Sequence, residues 1–210
     1  SHAAAFVLKA NHAYFIPGTA HARRLVVYER TEAEVATAGP RAESASPGGP
    51  VREVTSAANP AFKLARELLN GRGIRKHGQA LLAGARIVAE VLERFPDRVL
   101  AWLTPSDGAP PPPRAGLTWL RLADPLFREL DVAGTHAPLL QVTVPAMPVW
   151  EASAPWPEGC TLFVPFQDPE NVGAVLRSAA AFGVAQVVLL REASHPFHPR
   201  SARAAGPALF

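Results

Sequence analysis

The sequence predicts an α/β protein made of two successive units, and three observations carry that reading. Residues 161–190 run from a short apolar stretch through an Ala-rich helical stretch to a second apolar stretch, the strand–helix–strand crossover of a parallel sheet. Residues 51–144 alternate short apolar runs with amphipathic ones, a second α/β pattern. Between them, Pro145–Glu158 is rich in proline and tryptophan and reads as an interdomain linker. The expected division is therefore an N-terminal extension and linker over 1–50, an α/β domain over 51–144, a linker over 145–158 and a further domain over 159–210. At 210 residues the length permits one or two domains, each able to bury its own core.

Taken in order, Ala5–Leu8, Ala13–Ile16 and Leu25–Tyr28 look like short strands, with Pro17-Gly18 as a turn. Thr31–Ala38 fits a helical turn or two, and Gly39–Pro50 has the composition of a flexible linker. Asn59-Pro60 is a cap followed by proline, and Phe62, Ala65, Leu68 and Leu69 form the apolar stripe of a helix. Ala80–Ala83 (strand), Ala85–Phe95 (helix, with Ile87, Val88, Val91 and Leu92 inward) and Arg98–Leu103 (strand) follow. After the polyproline-like loop Gly108–Pro113 come Leu117–Leu122 (strand), Pro125–Leu130 (helix) and Leu139–Val144 (strand).

Composition narrows the class of function. A net charge of +3 agrees with a polyanionic partner. That charge is concentrated: between Lys63 and Gly78 lie Lys63, Arg66, Arg72, Arg75 and Lys76 against the single acid Glu67. Glycines punctuate this run, so it reads as a basic loop in which arginines meet phosphates in several geometries. The plainer alternative is a solvated charged face. The lone Cys160 excludes an internal disulfide, suits a reducing cytoplasm and reads as a small buried hydrophobe. His2, His12 and His21 are too widely spaced to form a metal site, so no metal is expected. No run reaches the length of a membrane span.

The most informative stretch is Thr161–Gly183. Thr161–Phe166 is of strand length, and the helix after it is placed to be capped by Asp168, with Pro169 at its first position, or by Asn171. Gly183 suits a left-handed stop. At about 100° per residue, Val172, Val175, Ala179 and Phe182 share an arc of roughly 80°, and Arg177 lies about 180° from its centre. Arg177 is thus expected to face away from the core. Asn171 and Gly173 sit at the strand-to-helix turn, where ligands collect in open α/β sheets, and Gly173 permits a close backbone approach. A structural role for all three (a cap, a turn glycine, a solvated charge) fits the geometry as well.

The residues D-P-x-N-V-G-A-V-L-R-S-A-x-A-F-G, 168–183, resemble the first signature of the SpoU/TrmH branch of the SPOUT RNA methyltransferases. H-P-R-S-A-R-A-A-G-P-A-L-F, 198–210, resembles the segment that follows it, departing at Ala205 where the family usually has Ser. S-x-x-N-P-x-x-K, the basic run and L-L-x-G in 56–84 resemble the small ribosomal-protein-like substrate-binding domain of many SpoU-type enzymes, with Ala83-Gly84 in place of the usual Glu-Gly.

The resemblance implies a small ribosomal-protein-like α/β RNA-binding domain followed by the first part of a Rossmann-like SPOUT (trefoil-knot) domain. It also implies methyl transfer from S-adenosylmethionine to a ribose 2′-hydroxyl of rRNA or tRNA, and a homodimer. Arg177 matches the family's catalytic arginine and Asn171 its asparagine. An arginine is effectively always protonated, so electrostatic stabilisation is the expected role rather than proton abstraction. Lys63, Arg66, Arg72, Arg75, Lys76, Arg200 and Arg203 are the expected RNA contacts, with His195 and His198 as minor candidates for a general base. The family's two later motifs, which hold the cofactor in the knot, do not occur in these 210 residues. The chain alone is therefore expected to be inactive, with cofactor-binding residues beyond Phe210. The alternative is a non-catalytic RNA-binding protein with an incomplete SPOUT domain. A dinucleotide enzyme is disfavoured because G-x-G-x-x-G is absent.

Overall fold

A computed structural model describes residues 49–210 apart from Ala115, Ala137, Ala152 and Ala154, together with the backbone of Ala4–Phe15 and Ala22–Glu32. The elements are β1 (Ala4–Phe15), β2 (Ala22–Glu32), β3 (Val51–Val54), α1 (Pro60–Glu67), α2 (Gly71–His77), β4 (Gln79–Ala83), α3 (Ala85–Arg94) and β5 (Val99–Pro105). They continue with β6 (Thr118–Leu122), α4 (Asp124–Leu130), β7 (Leu139–Thr143), β8 (Thr161–Val164), α5 (Pro169–Ala181), β9 (Gln186–Leu190) and α6 (Pro199–Ala205), closed by a tight turn over Gly206–Leu209. Two compact units result: 34–144 with 197–199, and 1–33 with 145–196 and 200–210.

The first of these units is a five-stranded mixed sheet in the order β3-β6-β5-β7-β4, with β3, β6 and β5 parallel and β7 antiparallel to both β5 and β4. Its core gathers Val54, Phe62, Leu68, Leu81, Leu103, Leu122 and Leu130. The eight-residue α1 is too short to hold itself together in water, where helices below about 12–15 residues are marginal. Burial of Phe62 and Leu68, each contributing about 1.5–3 kcal/mol, stabilises it instead. The Asn59 side chain caps α1 by accepting from the Ala61 N–H at 2.9 Å, with Pro60 at the first helical position.

Residues 71–77 are not a loop. Asn70 accepts from the Gly73 N–H at 2.9 Å, Gly78 closes the other end at φ 62°, and α2 forms between them. Gly73 is required because a Cβ there would overlap the Glu67 carbonyl oxygen. The glycines therefore serve a tight α1–α2 corner rather than mobility.

The other unit holds a four-stranded sheet in the order β1-β2-β9-β8. β8 and β9 are parallel and joined by α5, while β2 runs antiparallel to β9 and β1 antiparallel to β2. The N-terminal residues are thus part of this sheet, and the two strands expected over Ala5–Leu8 and Ala13–Ile16 merge into β1 up to Phe15. The expected turn Pro17-Gly18, and most of Thr31–Ala38 and Gly39–Pro50, lie outside the described residues; Thr31 and Glu32 are strand. Trp150 and Trp156 meet edge-on at a centroid separation of 5.2 Å, and each meets Phe163 of β8 at 6.1 Å, so these two rings pack on this sheet. Cys160 is exposed, contrary to expectation, because it precedes β8 beside Gly159 rather than entering the strand. Among the described residues no helix is long and apolar enough to cross a membrane, and no group of three metal-ligating side chains forms.

Candidate functional site

The centre of interest is α5. Asp168 caps it, its side chain accepting from the Glu170 N–H at 2.7 Å and the Asn171 N–H at 3.2 Å. The choice left open between Asp168 and Asn171 is thereby decided, and it releases the Asn171 amide from the capping role. Asn171 is exposed, and its side chain has no partner among the described residues. Arg177 is exposed on the same helix and likewise has no partner among the described residues. Gly183 at φ 67° ends the helix, as its sequence position predicts.

The buried face of α5 is rotated from the expected one. Val172, Gly173, Leu176 and Ala179 are buried, while Phe182 is 86% exposed. The cause is α6. A Cβ on Gly173 would overlap the Ser201 carbonyl oxygen and stand 2.7 Å from the Ala204 Cβ and 2.9 Å from the Ala205 N. The close approach that Gly173 permits is therefore taken by α6, whose Ser201, Ala202 and Ala205 are fully buried.

Measured from this face, Arg177 lies about 110° off its centre and Asn171 about 130° off on the opposite flank. Along the axis they are about 9 Å apart, and helical side chains lean toward the N-terminus. The two therefore stand about 120° apart around the exposed side of the helix. Arg200 and Arg203 are exposed on α6 in the same unit, each already engaged in an interaction. His195 is buried and engaged, and His198 is half-buried.

The basic run forms a separate locus on α1 and α2. Lys63, Arg66, Arg72, Arg75 and Lys76 are all exposed. Lys63 and Arg72 have no partner among the described residues. Arg66 lies 3.7 Å from Glu129 and over the Phe62 ring at 5.9 Å, while Arg75 is engaged elsewhere. Lys76 donates to Glu67 Oε2 at 2.8 Å, and His77 Nε2 lies 2.7 Å from the same oxygen. These contacts, Lys76 first and His77 second, lower the Glu67 pKa from its ordinary 4.5 to about 2. Exposed pairs of this kind contribute little to stability, so a phosphate can displace them. The sequence did not show that Glu67 draws in both neighbours, because the pairing needs the α1–α2 corner.

Residues 161–210 match the family described as SpoU rRNA methylase. The C-terminal segment of this chain is thus similar to the SpoU family. The chain is also 46% identical over 202 residues to the ribosomal RNA small subunit methyltransferase G 2 of Syntrophobacter fumaroxidans, covering 93% of this chain and 39% of that protein. A solved RNA 2′-O ribose methyltransferase superposes with TM-score 0.54 at 25% identity, over 75% of this chain and 62% of that one. The SpoU methyltransferase AviRb from Streptomyces viridochromogenes, solved with AdoMet, gives TM-score 0.56 at 22% identity, over 72% and 60%, which speaks for the SPOUT fold. This chain spans under two thirds of the length of each of these proteins.

Proposed function

We propose that this chain is the RNA-binding and target-nucleotide part of an S-adenosylmethionine-dependent RNA ribose 2′-O-methyltransferase acting on rRNA or tRNA. The observation that carries the reading is that Asp168 takes the cap of α5, which leaves the Asn171 and Arg177 side chains exposed and without a partner among the described residues, at the positions of the SpoU signature.

A ribose hydroxyl is a poor nucleophile at neutral pH and must be oriented and relieved of its proton. The Arg177 guanidinium suits two tasks: holding the flanking phosphate bidentately and stabilising negative charge as it develops on the 2′-oxygen. Asn171 supplies a neutral donor and acceptor to fix the ribose. Lys63, Arg66, Arg72, Arg75 and Lys76 would contact the RNA backbone from the other unit, and Arg200 and Arg203 from α6.

S-adenosylmethionine supplies the methyl group. The close approach at Gly173 is filled by α6 rather than left to the cofactor, which would instead be held by the family's two later motifs. That same observation favours the second reading, an RNA-binding module without catalysis. A homodimer is carried by the family resemblance. Binding of single-stranded RNA to the 210-residue chain, measured against salt, tests the RNA contacts. Lys63→Ala with Arg72→Ala should lower the slope of log K against log salt by roughly 0.7 per lost phosphate contact. An unchanged slope would return those residues to solvated surface.

A further inference from the structure

Five large apolar side chains of the unit containing α5 are exposed: Val149, Trp156, Phe163, Phe166 and Phe182. Trp156 and Phe163 answer each other and Trp150 through ring contacts. Phe182 stands at the far end of α5, about 16 Å along the axis from Asn171. Phe166 differs from all of these. It lies two residues past β8, at the C-terminal end of the parallel strands, and is 42% exposed with no ring partner among the described residues. Asn171 lies five residues on.

Its backbone is tied down. The Phe166 carbonyl accepts from the Ser194 N–H at 2.8 Å, linking it to the loop after β9. Asp168, two residues later, is fixed by the cap it makes on α5. A partly exposed aromatic side chain is thus anchored at the strand-to-helix turn that leads into Asn171 and the helix carrying Arg177. We propose that Phe166 is a stacking platform for the nucleobase of the nucleotide whose ribose and phosphate meet Asn171 and Arg177. The inference rests on the reading of α5 as the target-nucleotide element and assigns the base, which that reading leaves without a contact. Base–aromatic stacking needs an unstacked, splayed base and tolerates any base identity, since every base has a π-face. The platform therefore selects single-stranded or looped RNA over duplex, and it acts in recognition, not in the chemistry of transfer.

The test uses the 210-residue chain and a short single-stranded RNA carrying one 2-aminopurine, with affinity read by anisotropy and stacking by quenching of the probe. Phe166→Ala should weaken binding roughly 5- to 150-fold, leave the salt slope unchanged and abolish the quenching. Phe166→Tyr should keep both affinity and quenching, and Phe166→Leu should lose both. A Phe166→Leu protein that behaves as wild type would reduce the ring to apolar packing and overturn the proposal. Full binding by Phe166→Ala alongside weakened binding by Arg177→Ala would overturn it too, while leaving the reading of α5 intact. Absence of RNA binding by the wild-type chain would remove both.

Discussion

Gly173→Ala tests the geometry that sets the exposed face of α5. On helix propensity alone, alanine in a helix interior should stabilise by about 1 kcal/mol. The structure predicts the opposite sign. The new methyl would overlap the Ser201 carbonyl oxygen and stand 2.7 Å from the Ala204 Cβ, so α6 must retreat by at least about 0.7 Å to regain ordinary contact. The obstacle includes backbone and cannot simply change rotamer. Overpacking of this kind costs about 1–3 kcal/mol, and the upper part of that range less the propensity gain leaves a net loss of about 1–2 kcal/mol. Urea unfolding should show a midpoint lower by roughly 0.5–1 M, and hydrogen exchange should place the weakening in α5 and α6. A variant about 1 kcal/mol more stable than wild type would show that α6 does not pack on Gly173. The burial of the 173/176 face, and with it the flank position of Arg177, would then be wrong.

Two further outcomes follow from caps and charges. Asp168→Ala should cost about 1 kcal/mol by leaving the Glu170 and Asn171 N–H groups without their acceptor, and Asp168→Asn should recover most of it; equal thermal midpoints for all three proteins would deny the cap. Glu67 is ionised in the folded state down to about pH 2, so its depressed pKa favours folding above about 4.5. That contribution fades as pH falls from about 4.5 through about 2, and protection of the α2 amides, relative to their intrinsic exchange rate, should fall over that window in wild type and not in Glu67→Gln. The same substitution should strengthen RNA binding by freeing Lys76 and His77, and weaker binding by Glu67→Gln would contradict the competition between this carboxylate and phosphate.

Much of the architecture was legible because its signals are local. The strand–helix–strand unit shows in apolar runs, in Asp168-Pro169 at one end of α5 and in Gly183 at the other, and the structure places α5 at Pro169–Ala181. The strands and helices of residues 79–143 were read within a few residues for the same reason. What failed depended on distant partners. The helical wheel put Phe182 inside because it is apolar, whereas α6 draws Gly173 and Leu176 inward and leaves Phe182 in water. The basic run looked like a loop because of its glycines, although Asn70 and Gly78 are a cap and a stop. Cys160 was expected in the core because it borders an apolar run, yet the strand begins one residue later. Nothing local announced that β2 would pair with β9, since sheet order depends on long-range partners.

The central claim is that α5 holds Asn171 and Arg177 clear of the core to meet a ribose and its phosphate. Methyl transfer from labelled S-adenosylmethionine to RNA, with the modified position mapped, tests it in a protein carrying this chain at the full length of its relatives. The account predicts label on a ribose 2′-oxygen, and a drop of roughly 100-fold or more in kcat for Arg177→Ala, the scale of losing one electrostatic donor, with the fold intact. Wild-type turnover by a folded Arg177→Ala protein, or label on a base instead of a ribose, would contradict it.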